Sequence, residues 1–221
     1  MPCAVRGVVE RLILYGGFAT GLTHWGDPDE QFDQLELAET LIRQGWGSDH
    51  DAYRQWFTAL FMPSGTREQY KWFNHPQQVS ATPEVAEQHM RAVAKIDVNA
   101  QLSKVTVPTL VLHCREDNVA PFSRGEQLAR MIPNAKFVPL EGEDHLFLAD
   151  SLAHHDAMEA IADFMGDPPF GSTLPGTATR WQRATGWIVK LEQYHLVKIA
   201  VLIGALIGLI LSVRELVRAF G

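Results

Sequence analysis

This sequence lacks most of the features that place a protein quickly. It has two cysteines, Cys3 and Cys114, too few for a disulfide framework, which excludes a small cross-linked secreted scaffold. A reducing compartment fits such sparing use, and Cys114, closing an apolar run, reads as a small buried hydrophobe. Positive charge is also short. A net charge of -7 argues against nucleic acid as a partner, because binding phosphates needs a basic surface. No basic segment followed by a long apolar run and a small-residue cleavage site opens the chain, so no signal peptide is expected. There is no internal repeat and no long low-complexity tract. His154 and His155 are neighbours on a predicted helix and cannot share one face, so with His113 they make no metal site. Neither a metal nor a cofactor is expected.

What is present is a chain of 221 residues with ordinary proportions, 46% hydrophobic and 20% charged. That is enough for one full domain, or one domain with an appendage. Its organising stretch is Val107 to Pro121, read together with Leu140 to His145. An apolar run, Thr109 to Leu112, is led in by Pro108 and empties into a charged loop holding Asp117. A second short apolar run, Phe137 to Leu140, empties into a loop holding His145. Two parallel strands bring both loops to one sheet edge, where open α/β sheets keep their sites. Asp117 and His145 can therefore meet as acid and base.

Before this stretch, Leu12 to Tyr15 reads as a buried parallel strand ending in the glycine loop Gly16-Gly17. From about Asp29 to Ile96 the pattern turns helical. Phe32, Leu35, Leu37, Ala38, Leu41 and Ile42 share a face until Gly45-Trp46-Gly47. A second amphipathic segment runs from Asp51 to Phe61 and is ended by Pro63-Ser64-Gly65. Thr66 is placed to cap a third, and Thr82-Pro83-Glu84 opens a fourth that runs to about Ala94. Several helices between two parallel strands read as a cap rather than a plain crossover. After Thr109–Leu112 come a helix from Ser123 to Met131, with Ser123 as its cap, the strand Lys136–Leu140, and a final helix from Leu152 to Met165. That alternation predicts parallel pairing with right-handed crossovers.

Residues 167–180 have the composition of a linker, which bounds a domain over 1–166 and leaves 181–221 as an appendage. Ile199 to Val213 holds 15 residues without charge. With Leu196, Val197 and a snorkelling Lys198, the run is roughly 27 Å of helix at about 1.5 Å per residue, close to a hydrocarbon core of about 30 Å. Trp187 and Tyr194 on one flank, and Arg214 and Arg218 on the other, suit interfacial anchoring. The expectation is a single-pass C-terminal membrane helix over about 196–213, with the globular part in the cytoplasm. Gly204 and Gly208 would permit close pairing of two such helices.

Taken in order, Glu10 to Phe18, Gly45-Trp46-Gly47, Tyr53 to Gly65, Trp72-Phe73-Asn74, Val107 to Pro121 and Phe137 to His145 resemble the later part of the α/β-hydrolase superfamily. They look most like the bacterial subgroup fused to nucleotide-cyclase or transcription-regulator modules. The resemblance covers about Val5 to Met165. It implies a partial α/β-hydrolase fold of about three parallel strands with helices and a helical cap. It also makes Asp117 the acid and His145 the base of a Ser-Asp-His triad acting on a small-molecule ester or acyl substrate. The chemistry is coherent: a serine hydroxyl becomes a nucleophile when a neutral imidazole takes its proton, and a buried carboxylate holds that imidazole's tautomer.

The family's serine sits before the acid, on a Gly-x-Ser-x-Gly elbow between a strand and a helix. No Gly-x-Ser-x-Gly occurs in this sequence. The elbow, five strands and the oxyanion loop are expected upstream of Met1, with Cys3–Arg6 the last turn of the helix after the elbow. Ser64 in its Pro-Ser-Gly turn, Ser48 after Gly47, and Cys114 are not expected to replace the nucleophile, and Asp144 and Glu116 read as solvated loop charges. As written, the chain is then an inactive hydrolase relative. The competing expectation is a non-enzymatic, membrane-tethered interaction module, or a tail that anchors a fused or partner domain. A homo-oligomer pairing the open edges of Leu12–Tyr15 would shield a strand that otherwise invites aggregation. The cap aromatics Trp46, Trp56, Phe57, Phe61, Trp72 and Phe73 fall at helical spacings. They suit core positions better than an acyl pocket.

Overall fold

The computed structural model describes residues 9–166. The linker, the apolar run 196–213 and the segment Cys3–Arg6 lie outside the described residues. Among the described residues, no helix is long and apolar enough to cross a membrane.

Three parallel strands form one sheet in the order β1 (Leu12–Tyr15), β2 (Thr109–Cys114), β3 (Ala135–Leu140). The register sets Leu12 beside Thr109 and Tyr15 beside Leu112, then Thr109 beside Ala135 and Cys114 beside Leu140. β2 is central and every residue in it is buried. It runs two residues past the apolar stretch that announces it, because the polar His113 is covered like its neighbours and Cys114 is buried as a small hydrophobe.

Strand side chains alternate between faces, and the two faces meet different helices. Leu110, Leu112 and Cys114 join Tyr15 and Leu140 against Ala153 and Ala157 of α7 (Leu152–Met165). Val111 faces the other way, toward Leu128 and Ile132 at α6 (Phe122–Met131), with Leu102 of the short helix α5 (Asn99–Leu102). Helices on both faces of a parallel sheet bury strands that read as unbroken apolar runs. α7 is capped by Ser151, whose side chain accepts from the His154 amide, and ends at Gly166 in the left-handed region. Ser123 is not a cap: it lies inside α6, whose N-cap is Pro121, with no side-chain bond.

Between β1 and β2 the chain builds a cap from α1 (Pro28–Gly45), α2 (Ala52–Phe61), α3 (Arg67–Ser80) and α4 (Pro83–Ala94). Each start has a local cause. Asp27 caps α1 ahead of a proline; Thr66 and Gln69 form a reciprocal capping box on α3; Thr82 caps α4 ahead of Pro83. Ala38, Ile42, Trp46, Phe57 and Ala86 make one cap core. Its hub is Arg54, 1% exposed, whose guanidinium donates to the carbonyls of Gly45, Trp46 and Ser48. A helix end leaves its last carbonyls without partners, and Arg54 supplies them for α1. Trp46, Phe57, Phe61 and Phe73 are buried, whereas Trp56 and Trp72 are exposed at 36% and 67%, so the aromatic set divides between core and surface.

Candidate active site

β2 and β3 leave the sheet side by side, and their exit loops stay joined. The Arg115 amide donates to the Leu140 carbonyl at 3.0 Å and the Glu116 amide to Gly142 at 3.1 Å. This brings the loops of Asp117 and His145 together across 28 residues of sequence. Asp117 Oδ1 accepts the backbone amides of Val119 and Ala120, at 2.8 and 2.9 Å. Its Oδ2 accepts from His145 Nδ1 at 2.7 Å. A carboxylate only accepts, so the hydrogen of this bond sits on Nδ1. Both residues are buried, Asp117 at 7% and His145 at 0% exposure. The carboxylate is thus fixed from two sides, and the imidazole is held in a single tautomer.

Three neighbours complete the setting. The Phe61 ring meets the His145 ring edge to face, with centroids 5.3 Å apart. Gly16, just after β1, has φ of 59°. A Cβ there would lie 2.8 Å from His145 Cε1 and 3.5 Å from Asp117 Oδ2. Only glycine satisfies both the left-handed backbone and the space. The third neighbour is His113, fully buried on β2. Its Nε2 lies 2.7 Å from the Ala120 carbonyl and 3.5 Å from Asp117 Oδ2. A carbonyl only accepts, so Nε2 donates, and Nδ1 is buried without a partner. Nδ1 faces Gly125 of α6, where a Cβ would approach to 2.4 Å. Burial holds the His113 pKa below the usual imidazole range, against the opposing pull of the Ala120 carbonyl and Asp117.

The other sequence candidates fall elsewhere. Ser48 accepts the His50 amide in its own turn. Cys114 is a buried free thiol, raised in pKa by burial. It lies 3.4 Å from the Tyr15 hydroxyl. Burial, then Cys114, pushes that hydroxyl well above the usual phenol range. His155 is exposed beside Asp156. Among the described residues, no group of three or more His, Cys, Asp or Glu side chains is placed to hold a metal. Glu116 is exposed, as expected of a loop charge. Asp144 is the correction: it is 6% exposed, not solvated, and its carboxylate accepts both the backbone amide and the hydroxyl of Ser64. Sequence position hid this pair, because 80 residues separate them. The one available signal was an acid next to the candidate base.

The three-stranded parallel sheet with helices on both faces and a helical cap corresponds to a known fold. With an esterase from Exiguobacterium antarcticum the structure superposes at a TM-score of 0.59, with 22% identity over 72% of this chain and 57% of that one. The fold is that of an α/β-hydrolase. The superfamily is supported in sequence as well. Residues 77–169 match the family model of TAP-like proteins. The chain is 39% identical over 49 residues to the AB hydrolase superfamily protein YisY of Bacillus subtilis, covering 22% of this chain and 18% of that protein. It is 31% identical over 99 residues to a pimeloyl-(acyl-carrier protein) methyl ester esterase of Neisseria meningitidis, covering 43% of this chain and 31% of the esterase. The chain therefore spans less than two thirds of the length of each of these relatives. The described residues hold three parallel strands, the loops that follow β2 and β3, and a helical cap.

Proposed function

We propose that Asp117 and His145 are the acid and base of an ester or acyl hydrolase triad. The observation that carries this reading is the 2.7 Å bond from His145 Nδ1 to a carboxylate whose other oxygen is tied to two backbone amides. In that role Nε2 takes the proton of a serine hydroxyl as its oxygen attacks the substrate carbonyl. The imidazolium then returns the proton to the departing alkoxide, and a water repeats the cycle on the acyl-enzyme. Asp117 keeps the tautomer and stabilises the transient positive charge. The esterases among the similar proteins favour an ester or acyl substrate.

No Gly-x-Ser-x-Gly occurs within these 221 residues. The reading therefore gives this chain the acid–base part of the machinery and little turnover of its own. That same absence favours the second reading, a non-enzymatic module derived from a hydrolase. Under either, the apolar run 196–213, with its aromatic and basic flanks, is proposed as a single-pass anchor with the globular part in the cytoplasm.

The deciding experiment reads the coding DNA upstream of Met1 for an in-frame Gly-x-Ser-x-Gly, about 15 to 25 residues back, and expresses the extended protein. Hydrolysis of a p-nitrophenyl ester should appear, and should fall by about 10⁶-fold in His145→Ala and by about 10⁴-fold in Asp117→Ala. A stop codon with no such motif in frame, or hydrolysis that survives His145→Ala, refutes the triad reading.

A further inference from the structure

The loop that carries His145 is attached less to the sheet than to the cap. The amides of His145 and Leu146 both donate to one carbonyl, that of Phe61 at the last turn of α2, at 2.9 and 3.2 Å. One residue earlier, Asp144 Oδ1 accepts the backbone amide of Ser64 at 3.0 Å, and its Oδ2 accepts the Ser64 hydroxyl. Ser64 belongs to the Pro63-Ser64-Gly65 turn that joins α2 to α3. The carbonyl of Asp144 is held from the sheet side by the Tyr15 hydroxyl at 2.9 Å. An apolar cluster of Phe61, Met62 and Phe73 from the cap packs with Leu148 and Leu146 from the histidine loop and Val119 from the acid loop.

We propose that the cap is the positioning element of the base, and that Asp144 and Ser64 are positioning residues acting through His145. The proposal deepens the acid–base reading above and rests on it. The physical reason is that β3 ends at Leu140, so the segment from Glu141 to Asp150 has no strand or helix to hold it. A loop of that length holds a ring at hydrogen-bonding distance from a carboxylate only if its backbone is tied on both sides of the ring. The Phe61 carbonyl ties His145 itself and the residue after it, while the Asp144 carboxylate ties the residue before. A cap displaced from the sheet would carry the α2–α3 turn with it and withdraw the imidazole from Asp117.

The test uses the full chain labelled with ¹⁵N and reads exchange by NMR. Its probes are the His145 Nδ1 proton, the amides of His145 and Leu146, and the amides of Leu110 and Leu112 in β2 as a global control. In Asp144→Ala the His145 and Leu146 protons should exchange at least about tenfold faster, with the β2 amides unchanged. Asp144→Asn keeps an acceptor for the Ser64 amide and a group that can pair with the hydroxyl, so it should restore most of the protection. Uniform acceleration that includes β2 would make Asp144 a purely structural residue and overturn the proposal. So would unchanged exchange at His145, or an Asn variant no better than Ala. None of these readings needs turnover, so they stand or fall separately from the ester assay that decides the triad.

Discussion

Alanine at Gly16 probes the geometry of the site through one methyl group. Two costs arise there. A backbone at φ of 59° is left-handed, which disfavours an L residue by roughly 1–2 kcal/mol. The new Cβ would also sit 2.8 Å from His145 Cε1 and 3.0 Å from Nδ1, inside contact distance of a ring held by Asp117 and Phe61. Overpacking of this kind costs about 1–3 kcal/mol. Together the expected loss is about 2–5 kcal/mol, which lowers a urea midpoint by about 1 M or more at ordinary slopes. Gly17 is the control. It is not among the positive-φ glycines, and a Cβ there meets the flexible end of Leu128 at 3.3 Å. Gly17→Ala should therefore change stability by less than about 1 kcal/mol. Urea unfolding followed by circular dichroism gives both numbers, and the His145 Nδ1 proton signal reports whether the bond to Asp117 survives. If Gly16→Ala unfolds within about 0.5 kcal/mol of the parent and keeps that signal, the close approach of β1's exit to the histidine is wrong.

Two further outcomes follow from the same contacts. His113 is neutral in the fold with its pKa held down chiefly by burial, while the unfolded chain protonates it near the usual value of about 6.5. Between the folded pKa and that value the unfolded state binds more protons, so stability falls as pH drops through this window and is fully present above it. His113→Gln keeps a donor for Ala120 without a titrating ring. The loss of stability from pH 7.5 to 5.5, read as the shift in urea midpoint, should shrink in this variant, though His89, also lowered by burial, leaves a residual slope; an unchanged slope refutes the assignment. At the helix starts, Thr66→Ala removes a capping box and should cost about 1 kcal/mol in thermal or urea unfolding. Ser123→Ala, in a helix with no side-chain cap, should cost less than about 0.5 kcal/mol; equal losses would contradict the observed caps.

Local signals carried much of the architecture. β1 at Leu12–Tyr15 and α7 at Leu152–Met165 have the bounds expected of an apolar run before glycines and of the final helical segment. Thr66 and Thr82 start their helices because a cap needs only a side-chain oxygen within three residues. Where local chemistry was ambiguous, prediction failed in a consistent way. β2 continues through His113 because the covering helices, not the residue type, decide burial there. Ser123 looks like a cap but lies inside the helix that Pro121 opens. The four-residue helix α5 is too short to show a period.

The residue types around the site were visible in the chain: an acid after one strand, a histidine after the next, and a glycine pair after the first. Their spacing predicted that parallel pairing would place the first two at one edge. The partners that set geometry were decided by tertiary structure. Asp144 reads as a solvated charge until Ser64 arrives from 80 residues away. Arg54 lies within the amphipathic segment Asp51 to Phe61, and only the fold ends α1 beside it. His113 reads as a strand end until α6 lays a glycine against its ring. In each case a polar group is buried, and its energy depends on a partner that no local pattern specifies. Sequence alone determined most of the elements and singled out two residues for the proposed chemistry; the fold decided what holds them at bonding distance.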